Sequence, residues 1–141
     1  MRPHVLAFID DSRACDDVVS VARDLSAAGE ARLTLVAVAV IEAERNGCCD
    51  LRSGVWNRSQ REVAVEQLRR ARTLLPAEVD AALAIAEGPS VEESLVRESI
   101  SGGYDLVVVA DERRRLMRWK APLADRLRAR LGCEVTTPGG R

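Results

Sequence analysis

The stretch "HVLAFIDDSRACDDVVSVARDLSAAGEARLTLVAVAVI", residues 4–41, decides the fold. It opens on a short apolar run that stops at Asp10 and Asp11. Cys15, Val18, Ala22 and Leu25 then recur at helical spacing, with Ser12 placed to cap the helix and Gly29 to stop it. The closing "RLTLVAVAVI" is a nearly unbroken β-rich run, the mark of a strand buried on both faces. Strand, helix and buried strand in succession predict a parallel crossover unit.

The same alternation continues outward. Residues 42–58, "EAERNGCCDLRSGVWNR", show no period and read as an exposed insertion loop, longer than most connections. Ala64, Leu68, Ala71 and Leu75 set the stripe of a second helix, stopped by Pro76. "VDAALAIAEG" reads as a third strand, ended by Gly88-Pro89. Ser90 with Glu93 forms a capping box, opening a helix whose predicted inner face carries Val91, Leu95 and Ile100. "SGGYD", residues 101–105, is a turn, and "DLVVVA" a fourth strand. Leu123, Leu127 and Leu131 mark a last helix, with Pro122 in its first turn and Gly132 at its end. "CEVTT" closes as a short fifth strand. The expected architecture is one α/β domain over residues 1–141: a five-stranded, mostly parallel, Rossmann-like sheet with helices on both faces.

Bulk properties narrow the function classes. With 47% hydrophobic and 30% charged residues, the chain has the composition of a globular domain rather than a disordered one. A net charge of −1 argues against a dedicated nucleic-acid or membrane-surface binder. No apolar run approaches the ~20 residues of a membrane span. The opening "MRPHVLAFIDD" meets acidic residues too early for a secretory signal, so a cytoplasmic location is expected. Cys15, Cys48, Cys49 and Cys133 form no CxxC, and His4 is the one histidine, so no metal site is expected. Cys48 and Cys49 are adjacent, as in a redox pair or soft-metal grip. Without partner ligands they read as reduced thiols in a polar loop, and Cys15 and Cys133 as small apolar groups in the core.

At this point the chain resembles the universal stress protein family. "HVLAFIDDSRACDDVVSVARDLSAAGEARLTLVAVAVI" looks like that family's opening strand, capped helix and second strand. "AIAEGPSVEESLVRES" is similar to its third strand and the helix after it, "GYDLVVVA" to its fourth strand, and "LADRLRARLGCEV" to its closing segment. The resemblance covers about residues 4–137, broken by 42–58, and rests on the order and spacing of these pieces. It implies a stress-response role. It also implies a nucleoside site in which Asp10 contacts the adenosine, Val40 lies near the base, and Ala110 stands beside them.

Members of that family that bind ATP carry Gly-x2-Gly-x9-Gly-Ser/Thr after the fourth strand. Glycines let backbone N–H groups approach the phosphates, and the next helix adds a favourable partial charge. Here the segment is "ADERRRLMRWKAPLADRL": Ala121-Pro122 replaces Gly-Ser, both earlier glycines are missing, and the loop is about two residues shorter. Pro122 also removes an N–H that a phosphate would use. The expectation is a non-enzymatic protein that has lost ordinary ATP binding, with no firm cofactor.

Between residues 111 and 131 stand eight basic side chains against three acidic ones. Arginine binds phosphate bidentately, so a second reading has ATP, AMP or another nucleotide held through Arg113 and Arg115, together with Ala121 and Leu123 at the helix start. The plain reading is a solvated charged loop, anchored by Trp119, ahead of an Arg-faced helix. A third reading is a degenerate receiver-like signalling domain, suggested by "FIDDSR". It lacks an Asp at the end of the third strand, where Glu87-Gly88 stand, and its lysine, Lys120, precedes the fourth helix. No Gly-Lys-Ser/Thr or nucleophile elbow occurs. The resemblance implies a homodimer paired through last strands, here Val135, Thr136 and Thr137, and leaves room for a protein partner.

Overall fold

The structure, a computed structural model, describes residues 2–11, 14–27, 29, 31–42, 51–110 and 121–139, with the side chains of 51 and 52 excepted. The first apolar run becomes strand β1, His4–Ile9. Val5, Ala7 and Ile9 enter the core on one side of the sheet, Leu6 and Phe8 the core on the other. A strand buried on both faces needs no polar alternation, so the run is continuous.

Around β1 the sheet grows in both directions. Strand β2 (Arg32–Val40) pairs with β1, starting at His4↔Arg32. Strand β3 (Ala81–Gly88) pairs with β2 from Leu33↔Ala81 and forms one margin of the sheet. Strand β4 (Leu106–Val108) lies on the opposite flank of β1, and the three-residue β5 (Glu134–Thr136) lies beyond it. The order is β3-β2-β1-β4-β5, and every pairing is parallel, so the "mostly parallel" expectation becomes fully parallel among the described residues.

Parallel neighbours require crossovers, and four helices supply them. Helix α1 (Cys15–Ala27) buries Cys15, Val18, Val19 and Ala22, and helix α2 (Leu51–Thr73) buries Ala64, Leu68 and Ala71 against the same face. Helices α3 (Val91–Gly102) and α4 (Leu123–Arg130) cover the other face through Leu95, Val96, Leu123, Ala124 and Leu127. Leu6, Leu35, Leu95 and Leu127 are fully buried. Each contributes about 1.5–3 kcal/mol relative to exposure.

Two sequence expectations are corrected. Residues 51–58 are not part of an exposed loop: they form the first turns of α2. Buried Ser53 and Asn57 extend the stripe of Ala64, Leu68 and Ala71 toward the N-terminus with polar side chains, which an apolar pattern does not register. Gly54 meets open space, so it costs only helix propensity, about 1 kcal/mol. The remainder of that stretch, 43–50 with Cys48 and Cys49, lies outside the described residues, as does the Ser12 cap. The second correction is Ile100, which is 71% exposed rather than on the inner face of α3. Nine residues at ~100° each carry it to the opposite side from Val91. Buried Val96 and Ser99 flank Leu95 instead.

Candidate functional site

The chain lays down β1, β2 and β3 toward one margin, then crosses β1 to place β4 and β5 on the other side. In open parallel sheets this reversal leaves a crevice at the carboxyl ends of the central strands, where ligands bind. Three residues singled out in the sequence come together there. Asp10 directly follows β1, Val40 ends β2, and Ala110 follows β4 while packing against the core shared by α1 and α2. Ala121 is exposed at the same end, just before α4. Leu123 is different: at 5% exposure its side chain belongs to the core, not the crevice. Arg113 and Arg115 lie outside the described residues, as do Trp119 and Lys120.

The elements around the carboxyl ends of the strands are tied to one another. Glycine is needed at Gly88, where a Cβ would stand 2.6 Å from the hydroxyl of Ser94 as α3 closes on the end of β3. Ser90 caps α3 by accepting from the Glu93 N–H at 3.1 Å. The box stays half formed, because the Glu93 carboxylate turns to Arg130 at 2.9 Å. Arg61 on α2 pairs with Glu87, and Gln67 donates to Asp11. Arg61 thereby holds the Glu87 carboxyl below its usual range.

Sequence reading missed the contribution of early α2. The Trp56 indole N–H donates to the Val40 carbonyl at 3.1 Å. Asn57 accepts from the Glu42 N–H at 2.8 Å and donates to the Glu42 carbonyl at 3.0 Å, so its side-chain amide serves the backbone as a neighbouring strand would. Ser53 adds a bond to the Glu42 carboxylate at 3.2 Å. The usable signal was the four-residue spacing from Ser53 to Asn57, in phase with Ala64 and Leu68.

Helix α4 contributes little donor capacity at its start. Pro122 stands at its N-cap, has no N–H, and makes no side-chain capping bond. The Ala121 carbonyl accepts from the Arg126 guanidinium at 3.1 Å. Much of the positive charge of α4 is already engaged. Arg126 and Arg130 bind Glu92 at 3.0 and 2.9 Å, and Arg128 binds Asp125 and the Val135 carbonyl. Arg130, first of these, keeps the Glu92 carboxyl below its usual range. Among the described residues no group of histidine, cysteine and carboxylate side chains is arranged to hold a metal.

The dimer candidates sit on the margin formed by β5. Val135 and Thr137 are buried within the chain itself, and Thr136 is half-buried. Among the described residues no helix is long and apolar enough to cross a membrane.

No protein-family profile matches the chain, and no curated protein matches it. Solved structures do. A universal stress protein family structure from Burkholderia pseudomallei is 21% identical, with a TM-score of 0.63 over 95% of this chain and 93% of that one. A universal stress protein in complex with cAMP is 16% identical, with a TM-score of 0.70 over 96% and 95%. A universal stress protein family structure from Arabidopsis thaliana with AMP bound is 13% identical, with a TM-score of 0.61 over 99% of each chain. The likeness runs the length of the chain, and the fold is that of the universal stress proteins.

Proposed function

We propose that this chain is a non-enzymatic stress-response regulator of the universal stress protein type that has lost ordinary ATP binding. The observation that carries the proposal is the start of α4. Pro122 occupies the N-cap and brings no N–H, and no glycine lies between Ala110 and Gly132. Phosphates at a helix N-terminus depend on bare backbone donors, and a proline there both withholds one and thickens the approach. The hydrogen bond from Trp56 to the Val40 carbonyl supports the same reading, since it engages a backbone acceptor at the end of β2. Action through protein contacts, as a cytoplasmic homodimer, completes the proposal. Titration of the purified chain with Mg-ATP by calorimetry is expected to give no saturable heat. Micromolar binding would overturn the proposal.

A second reading is favoured by the two similar structures that hold cAMP and AMP. A nucleoside monophosphate asks for fewer phosphate donors than a triphosphate, and arginine side chains can replace backbone amides in supplying them. AMP or cyclic AMP binding that is lost in Arg115→Ala would establish this reading over the first.

A further inference from the structure

At the opposite end of the sheet, the amino ends of β1, β2 and β3 open into a cleft of about 690 Å³. That volume falls within the ~300–1,000 Å³ of small-molecule sites. The cleft is lined by Arg2 and His4 at the start of β1, the C-terminal turn of α1, Arg32 to Thr34 of β2, and the turn between α2 and β3 that carries Glu78 and Asp80. Leu33 and Thr34 are buried at its base, and Ala31 and Val79 pack against the core beside them.

The arrangement of charge is the telling feature. His4 stands opposite Arg32, and Leu33 opposite Ala81, so Asp80 continues the row one step beyond Arg32. Opposite charges on neighbouring strands ordinarily pair. Opposite charges brought together by other elements of this chain do pair: Arg61 of α2 with Glu87 of β3, Arg126 and Arg130 of α4 with Glu92 of α3, and Arg69 with Glu66 along α2. Yet Arg32, Glu78 and Asp80 line one cleft and, among the described residues, make no ion pair or side-chain hydrogen bond.

The rim holding these charges is fixed in advance. Arg72 donates to the carbonyls of Pro76, Ala77 and Val79 at 3.3, 3.5 and 3.0 Å, which sets the turn bearing Glu78 and Asp80. On the basic side the Arg32 N–H donates to the Pro3 carbonyl at 2.8 Å, and the Arg2 guanidinium reaches the Gly29 carbonyl at 3.5 Å. His4 is occupied below, with Nε2 at 2.8 Å from the Thr34 hydroxyl and its ring tilted 36° against that of Tyr104, centroids 4.2 Å apart.

We propose that this cleft binds a small zwitterion of amino-acid size, with a carboxylate or phosphate at one end and a protonated amine at the other. Arg32 and Arg2 receive the anionic end, and Asp80 with Glu78 receives the amine. The apolar surface of Val79 and Ala82 takes the carbon spacer between them. A simple anion would face two carboxylates on the same rim, and a polyamine would face Arg2 and Arg32, with Arg23, paired to Asp24, beside them, so neither matches the lining as a zwitterion does. The site is independent of the crevice at the carboxyl ends, and so of whether a nucleotide binds there.

The test is calorimetric titration of the full chain with γ-aminobutyrate and L-lysine, set against acetate, inorganic phosphate and putrescine. At least one of the zwitterions is expected to bind saturably. Arg32→Ala and Asp80→Ala should each weaken that binding about 10-fold or more, the scale of a lost charge-assisted hydrogen bond. Far-ultraviolet circular dichroism of both variants verifies that they are folded. Amide chemical shifts in the complex are expected to move at Arg32 to Thr34 and at Val79 to Ala82. No saturable heat from either zwitterion at about 10 mM overturns the proposal. So does equal binding of the simple ions, indifference to Asp80→Ala, or shifts confined to the carboxyl end of the sheet.

Discussion

At the carboxyl end of the sheet, polar groups answer one another. Asn57 binds both backbone groups of Glu42, Trp56 binds the Val40 carbonyl, Gln67 reaches Asp11, and Arg126 bridges Ala121 and Glu92. At the amino end Arg32, Glu78 and Asp80 share a cleft without pairing among the described residues. Residue counts alone point the other way, since eight basic residues crowd positions 111–131. Arg126, Arg128 and Arg130 among them are spoken for by Glu92, Glu93 and Asp125. Density of charge along a chain therefore says little about which charges remain available to a ligand; that depends on what each side chain meets after folding.

If the contrast is sound, the carboxyl end should be sensitive to substitution and the amino end tolerant. The largest effect is expected for Asn57→Ala. It removes both hydrogen bonds to the Glu42 backbone from a buried side chain, and each such bond is worth about 0.5–1.5 kcal/mol. A urea midpoint unchanged within error would mean that the clamp is not structural. Ser90→Ala should cost less, about 1 kcal/mol, by leaving the Glu93 N–H without its cap; the same titration reads it, and Ser90→Asp should restore most of the loss.

His4 gives a third, smaller effect, with a defined sign. Burial first, and the Arg32 charge second, lower its pKa from the ordinary 6.5. The unfolded chain therefore takes up the proton before the folded one does. Stability is intact above 6.5 and falls as pH drops through it toward the lower folded value. Urea midpoints at about pH 8 and about pH 5.5 should differ more in the wild type than in His4→Gln. A difference of equal size would assign the pH dependence to other groups. Smallest of all, Arg32→Ala should change stability by less than about 0.5 kcal/mol, as expected of an exposed side chain without a partner among the described residues. A loss comparable to that of Asn57→Ala would erase the distinction between the two ends.

Much of this was legible in the sequence, for physical reasons. Both faces of β1 and β2 are covered, so their apolar runs are unbroken, and Asp10, Gly29 and Gly88 mark where chain direction changes. The placing of Asp10, Val40 and Ala110 at one end followed from those strand ends. Early α2 did not show itself because its buried positions are Ser53 and Asn57, whose contribution lies in hydrogen bonds to Glu42 rather than in apolarity. The bond from Trp56 to Val40 joins a helix to a strand end across a stretch without period, which no local pattern encodes. The cleft at the amino end gave no motif either, because Arg2, Arg32 and Asp80 come together only once three strands are in register.

The margin formed by β3 has a consequence for how the protein must be handled. From Ala81 to Ala86 it carries no charge and no proline, and Leu83 is 48% exposed. Among the described residues one side of its peptide ladder has no strand partner, and no charge between Ala81 and Ala86 repels another extended segment from it. Its alanines keep the apolar attraction of that margin weak. Partial unfolding at high concentration would nevertheless find its template there, and Leu83→Lys would raise the concentration at which precipitation begins without altering the fold.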